Sequence, residues 1–274
     1  MRESITRLIS GAVYVTLLIG ATLFSHNSFL VLFGVFLFIA IIEFCDLVGL
    51  KKMNSITIGA VLFFLFSFFK ISFSTKLFLI GATLFVSIKL IYALFKKKNI
   101  KLDKTSKYVY LIGYVILPFI ILTQIPINGI NLIFEPKIII SIFILIWIND
   151  SFAYIVGKSV GKNKLFESIS PKKTIEGFVG GAIFAIIAGI IIAKYYVILP
   201  IVFWVIIAII VGVIGTIGDL VESKFKRIAE VKDSGKIMPG HGGILDRLDS
   251  VIFVAPFIYL FIQIIQYYVY GSVS

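Results

Sequence analysis

Cysteine is almost absent from this chain: among 274 residues there is one, Cys45, inside an apolar run. A single thiol excludes an intrachain disulfide and leaves no cysteine-based metal cage. Acidic residues are also few, 14 against 26 Lys plus Arg, for a formal net charge of +12. Long polar stretches are scarcer still, the longest being 96–107, 158–173 and 221–249. With no Pro/Gly-rich linker and no clear internal repeat, residues 1–274 read as one domain. Hydrophobic residues fill the space left by these absences, at 59% of the chain and a mean hydropathy of +1.08. Soluble domains run near 45–50% apolar. A fold of this size has no interior able to hide the excess, so it faces lipid.

Nine apolar runs approach the ~20 residues needed to cross a ~30 Å hydrocarbon layer. They lie at 8–24, 29–50, 56–73, 77–95, 108–125, 138–156, 175–193, 198–217 and 251–270. Each is expected to be helical, because an isolated segment in lipid satisfies its backbone only internally. The fold class is therefore an all-α integral membrane protein with nine spans. Arg2 and Arg7 before an apolar stretch look like a leader, but no small-residue cleavage site follows, and the run is read as a retained span. With the N-terminus cytoplasmic, 21 of the 26 basic residues fall inside. Only Lys70, Lys76, Lys137 and Lys194 fall outside, and Lys89 lies within the fourth run. This asymmetry satisfies the positive-inside rule and puts the uncharged tail 271–274 outside. Basic loops facing anionic headgroups and phosphates account for the net charge, and nucleic acid is not an expected partner.

Acids at a membrane edge are costly and are functional hypotheses by default. At the end of the eighth run, Asp219, Glu222, Ser223 and Lys226 share one helical face at i, i+3, i+4 and i+7. Asp246, Asp249 and Ser250 share another at the start of the ninth. Two such helix ends meeting at one depth form a hard-oxygen site suited to Mg²⁺, with Asp219 and Asp246 as the leading ligands. Between them runs Lys232-Asp233-Ser234-Gly235-Lys236-Ile237-Met238-Pro239-Gly240-His241-Gly242-Gly243, whose glycines let backbone N–H groups approach phosphate oxygens. Asp150, deep in the sixth run, needs a cation or a watery cavity. Ser170, Lys172 and Lys173 precede the seventh run and are placed to receive a triphosphate. Glu43 and Asp46, near the inner end of the second run, either line a polar cavity or mark the membrane edge. Trp147, Trp204 and His26 call for no functional reading.

The run from Ser223 to Asp249 resembles the signature of phosphatidate cytidylyltransferases. It agrees at Ser223, Phe225, Lys226, Arg227, Lys232, Asp233, Gly235, Pro239, His241, Gly242, Gly243, Ile244, Asp246, Arg247, Leu248 and Asp249. Met238 departs from the usual Leu, Ile or Phe and conserves volume and polarity. A second block is similar to the same family at Asn149-Asp150-Ser151-Phe152-Ala153-Tyr154 and at Ser170-Pro171-Lys172-Lys173-Thr174-Ile175-Glu176-Gly177. The likeness is close over the C-terminal half, 138–270, and holds only in hydropathy over 1–130, which is expected to act as scaffold.

The resemblance implies attack by the phosphate of phosphatidic acid on the α-phosphorus of CTP, with pyrophosphate leaving and CDP-diacylglycerol formed. Mg²⁺ is the implied cofactor, a homodimer the implied assembly and the cell inner membrane the implied location, with the site on the cytoplasmic side. Lys226, Arg227, Lys232, Asp233, His241 and Asp249 are the expected catalytic set. Asp150, Ser170, Lys172, Lys173, Ser223, Gly242, Gly243 and Arg247 are expected to bind substrate. The rival reading is an ion-coupled transporter using its intramembrane carboxylates. The aspartate pattern of CDP-alcohol phosphotransferases, a further class, is absent.

Overall fold

A computed structural model describes residues 2–69, 72–96, 100, 102–128, 133–196 and 199–269. Lys70, Lys97, Lys98, Lys101 and the tail 271–274, which enter the assignment of sides, lie outside the described residues. Within them the chain forms nine helices. These are α1 (Arg2–Phe24), α2 (His26–Val48), α3 (Lys52–Phe68), α4 (Phe73–Phe95) and α5 (Lys104–Gln124). They continue as α6 (Pro136–Val160), α7 (Ile175–Tyr195), α8 (Ile201–Ile228) and α9 (Leu245–Val269). Eight are long and apolar enough to cross a membrane, and α3, at 17 residues, is a shorter apolar helix. The chain is thus a helical multi-span membrane protein.

Local chemistry sets the helix ends. Ser25 accepts from the Ser28 backbone N–H at 3.1 Å to start α2, and Gly49, at φ 66°, closes it in the left-handed conformation. Thr174 begins α7 by accepting from the Gly177 N–H at 3.1 Å. Outward faces carry bulky apolar side chains such as Phe24, Phe78 and Phe85, as lipid contact requires. Inside, Phe225 of α8 packs between Phe44 of α2 and Tyr110 and Tyr114 of α5, with ring centroids 5.3–5.7 Å apart. This aromatic cluster fixes the polar end of α8 against the N-terminal helices. α6 and α7 pack closely, and at Gly181 a side chain would meet the Asn149 carbonyl at 2.6 Å.

Three features differ from the apolar-run reading. First, α8 continues eleven residues past 217, to Ile228. Its 28 residues, ~42 Å at 1.5 Å per residue, exceed the hydrocarbon thickness, so its polar end projects beyond the lipid. Second, α9 starts at Leu245 rather than 251, which puts Asp246 and Asp249 in its first turns. Third, two antiparallel hairpins interrupt the helices: β1 (Ile127–Asn128) with β2 (Ile133–Phe134), and β3 (Lys164–Phe166) with β4 (Ser170–Thr174). π-helical segments occur within α5 (Leu111–Ile116) and α8 (Val211–Gly215), each beside the acid-bearing end of the fold. Such bulges often accompany functional sites.

Candidate active site

The polar end of α8 supplies the first group. Ser223 Oγ donates to Asp219 Oδ1 at 3.2 Å. One turn on, Lys226 pairs with Glu222, whose side chain is fully buried. The same Lys226 ammonium donates to Asp246 Oδ1 at 2.6 Å, so one cation ties α8 to α9. A buried carboxylate without a partner costs several kcal/mol, and Lys226 is the cation that meets Glu222.

Asp246 is held from the other side by the glycine-rich loop. Its Oδ2 accepts from Ser234 N at 2.8 Å, Ser234 Oγ at 2.9 Å and Gly243 N at 2.8 Å. Gly242, at φ 88°, makes the turn that brings these donors round, and a β-carbon there would stand 2.5 Å from Asp246 Oδ2. A bridge between Met238 and Gly242, with Met238 N donating to Gly242 O at 2.9 Å, closes the loop. Asp249 is buried and accepts from the Ser250 N–H at 2.6 Å. Ser250 Oγ in turn donates to the Gly215 carbonyl, in the π segment of α8, at 3.1 Å.

Two further elements complete the cluster. From β4, Lys173 reaches Asp219 Oδ2 at 2.5 Å. From α6, Asp150 accepts from Asn149 Nδ2 at 3.2 Å, and Asp219, Lys173 and Arg247 are its charged neighbours. Asp249 feels Asp219, Lys226 and Asp150 in the same way. Five carboxylates (Asp150, Asp219, Glu222, Asp246 and Asp249) thus converge from three helices upon Lys173 and Lys226. Glu176, at the start of α7, accepts from the backbone N–H groups of Lys162 and Asn163 at 3.1 Å each. It thereby fixes the base of the β3–β4 hairpin that carries Lys173.

Other residues of the expected set stand apart. Arg227 points away from the acids, donating from Nε to the Ile169 carbonyl at 3.3 Å and from Nη1 to the Val231 carbonyl at 3.2 Å. With Lys224, Phe166 and Leu94 it lines a separate cavity of about 230 Å³. Lys172, Lys232, Asp233 and Arg247 are exposed, and Ser170 is half-buried on β4. His241 contacts the N-terminal helix instead: its Nδ1 lies 2.7 Å from Ser10 Oγ, which also reaches the Pro239 carbonyl at 2.9 Å. Burial, aided by the Arg247 and Arg7 guanidinium groups, lowers the His241 imidazole below its ordinary value, so it is neutral at pH 7.

Glu43, Ser234 and Ser10 are not among the residues the sequence singles out for the site. Glu43 of α2 is buried and accepts from Ile244 N at 3.0 Å, Leu245 N at 2.8 Å and Ser234 Oγ at 3.2 Å. Its one legible signal is an acid within an apolar run, which alone gives no partner. Asp46, one turn on, pairs with Lys52 at 2.7 Å near the surface.

Among the described residues, no three Asp, Glu, His or Cys side chains stand close enough to hold a metal by themselves. Asp219 and Asp246 each meet a lysine ammonium in place of one another. What the arrangement offers is clustered carboxylate oxygen, lysine ammonium groups paired with it, and a glycine-turned loop beside them. These are components for handling polyphosphate with a hard cation.

Known proteins share this arrangement of sequence. A phosphatidate cytidylyltransferase of Bacillus subtilis is 49% identical over 122 residues, 44% of this chain and 45% of the relative. One from Staphylococcus saprophyticus is 52% identical over 125 residues, 44% and 48% of the two chains. One from Staphylococcus aureus is 49% identical over 116 residues, 42% and 44%. The chain spans just under half the length of these curated relatives in the matched segments. A family model described as the cytidylyltransferase family reaches much further, from residue 5 to residue 265. That match takes in the acid-bearing helices and the α1 and α2 residues that hold their loop, and by it the chain belongs to the cytidylyltransferase family.

Proposed function

We propose that the chain is a phosphatidate cytidylyltransferase, transferring the cytidylyl group of CTP to phosphatidic acid. The observation that carries this reading is the convergence of five carboxylates and two lysines from α6, α8, α9 and β4 at the polar end of a membrane bundle. Family membership and the printed names of the relatives support the substrate pair. A phosphate oxygen of phosphatidic acid forms a bond to the α-phosphorus of CTP as the bond to the pyrophosphate oxygen breaks. A phosphate monoester dianion is already nucleophilic, so no strong general base is needed. The barrier is mutual repulsion of two anions, which fixed positive charge lowers.

Asp219 and Asp246 would hold Mg²⁺, which supplies charge neutralisation for the triphosphate. Their chemistry fits, since Mg²⁺ commonly takes one or two carboxylates and completes its shell with water and substrate phosphates. Lys173 and Lys226, now paired with these same acids, are the ammonium groups nearest an incoming phosphate. The Gly242–Gly243 turn holds Asp246 beside them through the Gly243 N–H. Asp150 and Asp249 orient the lysines through charge. Lys232, Lys172 and Arg247, exposed around the rim, draw in the anionic nucleotide.

The lipid substrate requires the active site to open sideways to the bilayer as well as to the cytoplasm. For topology we favour nine spans, because α3 at ~26 Å lies within the range that crosses a bilayer. The N-terminus and the 221–249 loop are then cytoplasmic and the C-terminus is outside the inner membrane. A homodimer, the assembly implied by the family resemblance, is expected, and the mass of the protein in nanodiscs tests it. The transporter reading gains no support from the family match.

Purified protein given CTP, Mg²⁺ and phosphatidic acid is expected to release pyrophosphate and form CDP-diacylglycerol in equal amounts. Pyrophosphate release independent of phosphatidic acid, or none at all, would overturn the assignment.

A further inference from the structure

The glycine-rich loop is anchored from a distance of some two hundred residues. Glu43, in the middle of the α2 polar end, places one carboxylate oxygen on the Ile244 N–H and the other on the Leu245 N–H and Ser234 Oγ. Ile244 and Leu245 open α9, so Glu43 supplies the cap and the negative charge that this helix start favours. Ser234 Oγ lies 2.9 Å from Asp246 Oδ2 as well, and Ser234 N and Gly243 N both donate to that oxygen. The two carboxylates therefore share the Ser234 hydroxyl and otherwise bind neighbouring donors of the same loop. Space for Glu43 is cut by two glycines: a β-carbon at Gly235 or Gly243 would stand 2.3 or 2.4 Å from Glu43 Oε1. At 6% exposure Glu43 is shielded from bulk water.

We infer that Glu43 is a positioning residue: it locks the 234–245 loop to α2 and so aims Asp246 at Lys226. This rests on the cytidylyl-transfer reading for its effect on turnover, though not for the latch itself. Glu43 touches no reacting atom. Its loss lets Ser234 and Gly243 move, and Asp246 then meets its cation in the wrong orientation.

The test uses the full chain in nanodiscs and the variant Glu43→Gln, which keeps shape and one acceptor oxygen but presents an amide to N–H donors. At saturating CTP, kcat is expected to fall at least tenfold, with KM for CTP within threefold of wild type. Half-saturating Mg²⁺ is expected to rise at least fivefold, a shift that a general loss of fold does not produce. In parallel, hydrogen exchange of the 243–250 backbone should quicken at least tenfold. Faster exchange with wild-type turnover, or lost turnover with wild-type exchange, overturns the inference. Should Glu43→Gln fail to insert, Ser234→Ala decides. Removing the shared hydroxyl should raise half-saturating Mg²⁺ at least threefold, and an unchanged value rejects the latch. If wild-type protein makes no CDP-diacylglycerol, the cytidylyl reading fails, and the exchange measurement still judges the latch.

Discussion

Lys226 shows how tightly charge is balanced at the level of single residues. It is the cation for buried Glu222 and for Asp246 together. Replacing it strands two carboxylates, at a cost of about 3–5 kcal/mol for the buried one, so lost activity in such a variant would not separate chemistry from stability. His241 allows a cleaner reading. Its proton affinity is lowered by burial and by Arg247 and Arg7, so folding opposes protonation. Above the ordinary histidine value the imidazole is neutral in both states and contributes nothing to pH dependence. As pH falls through that value the unfolded chain gains a proton that the folded chain resists, and stability declines. Thermal unfolding between pH 7.5 and 5 should therefore show a falling Tm, and His241→Asn should flatten part of the slope. An identical slope in the variant would remove His241 from this role.

At the scale of elements, the β3–β4 hairpin and α8 depend on one another. Arg227 grips the Ile169 and Val231 carbonyls, and the hairpin it steadies carries Lys173 to Asp219. Arg227→Lys keeps the charge but loses the fork that spans two acceptors. Activity about tenfold lower, with faster hydrogen exchange across 164–174, is the expected result. Unchanged exchange would mean that Arg227 acts on substrate directly. The end of α8 offers an opposite test. Glu230 has φ 56°, a conformation that costs a residue with a β-carbon about 1 kcal/mol. Glu230→Gly should raise Tm by a few degrees without changing turnover, and a fall in Tm would show that the Glu230 side chain does more than turn the chain. The sequence reveals α8 only in part, because hydropathy collapses where the helix becomes amphipathic, although the helix itself runs on. The face of Asp219, Glu222, Ser223 and Lys226 is nonetheless readable from spacing, since α-helical periodicity survives the change in polarity. The π segments and the hairpins have no such period and leave no mark in the sequence.

Over the whole molecule, apolar length locates the spans because a bilayer imposes one dimension on every helix. The reach of Glu43 to Ile244 and of Ser10 to His241 has no local trace, since tertiary packing alone brings α1 and α2 beneath the loop. The N-terminal helices, expected from sequence to be scaffold alike in hydropathy alone, lie within the family match and contribute named side chains to the site. Orientation is a property of this scale too. A reporter active only outside the membrane, fused after Ser274, should be active, and one fused within 232–236 should be silent. Activity of the loop fusion, or silence of the tail fusion, would break the nine-span arrangement.

The central claim is that acids from separate helices act as one cation-dependent unit, and pyrophosphate release titrated against Mg²⁺ tests it most directly. Wild type, Asp219→Asn, Asp246→Asn, the double variant and Glu230→Gln as a surface control would be compared at equal amounts in the membrane. Asparagine keeps the shape and one oxygen but removes the charge that holds a hard cation. Each single variant is expected to lose at least a hundredfold in turnover, and the double variant no more than either, because residues acting as one unit are not additive. Glu230→Gln should match wild type. Wild-type turnover by Asp246→Asn at low Mg²⁺ would contradict the account, even with the chain's place in its family intact.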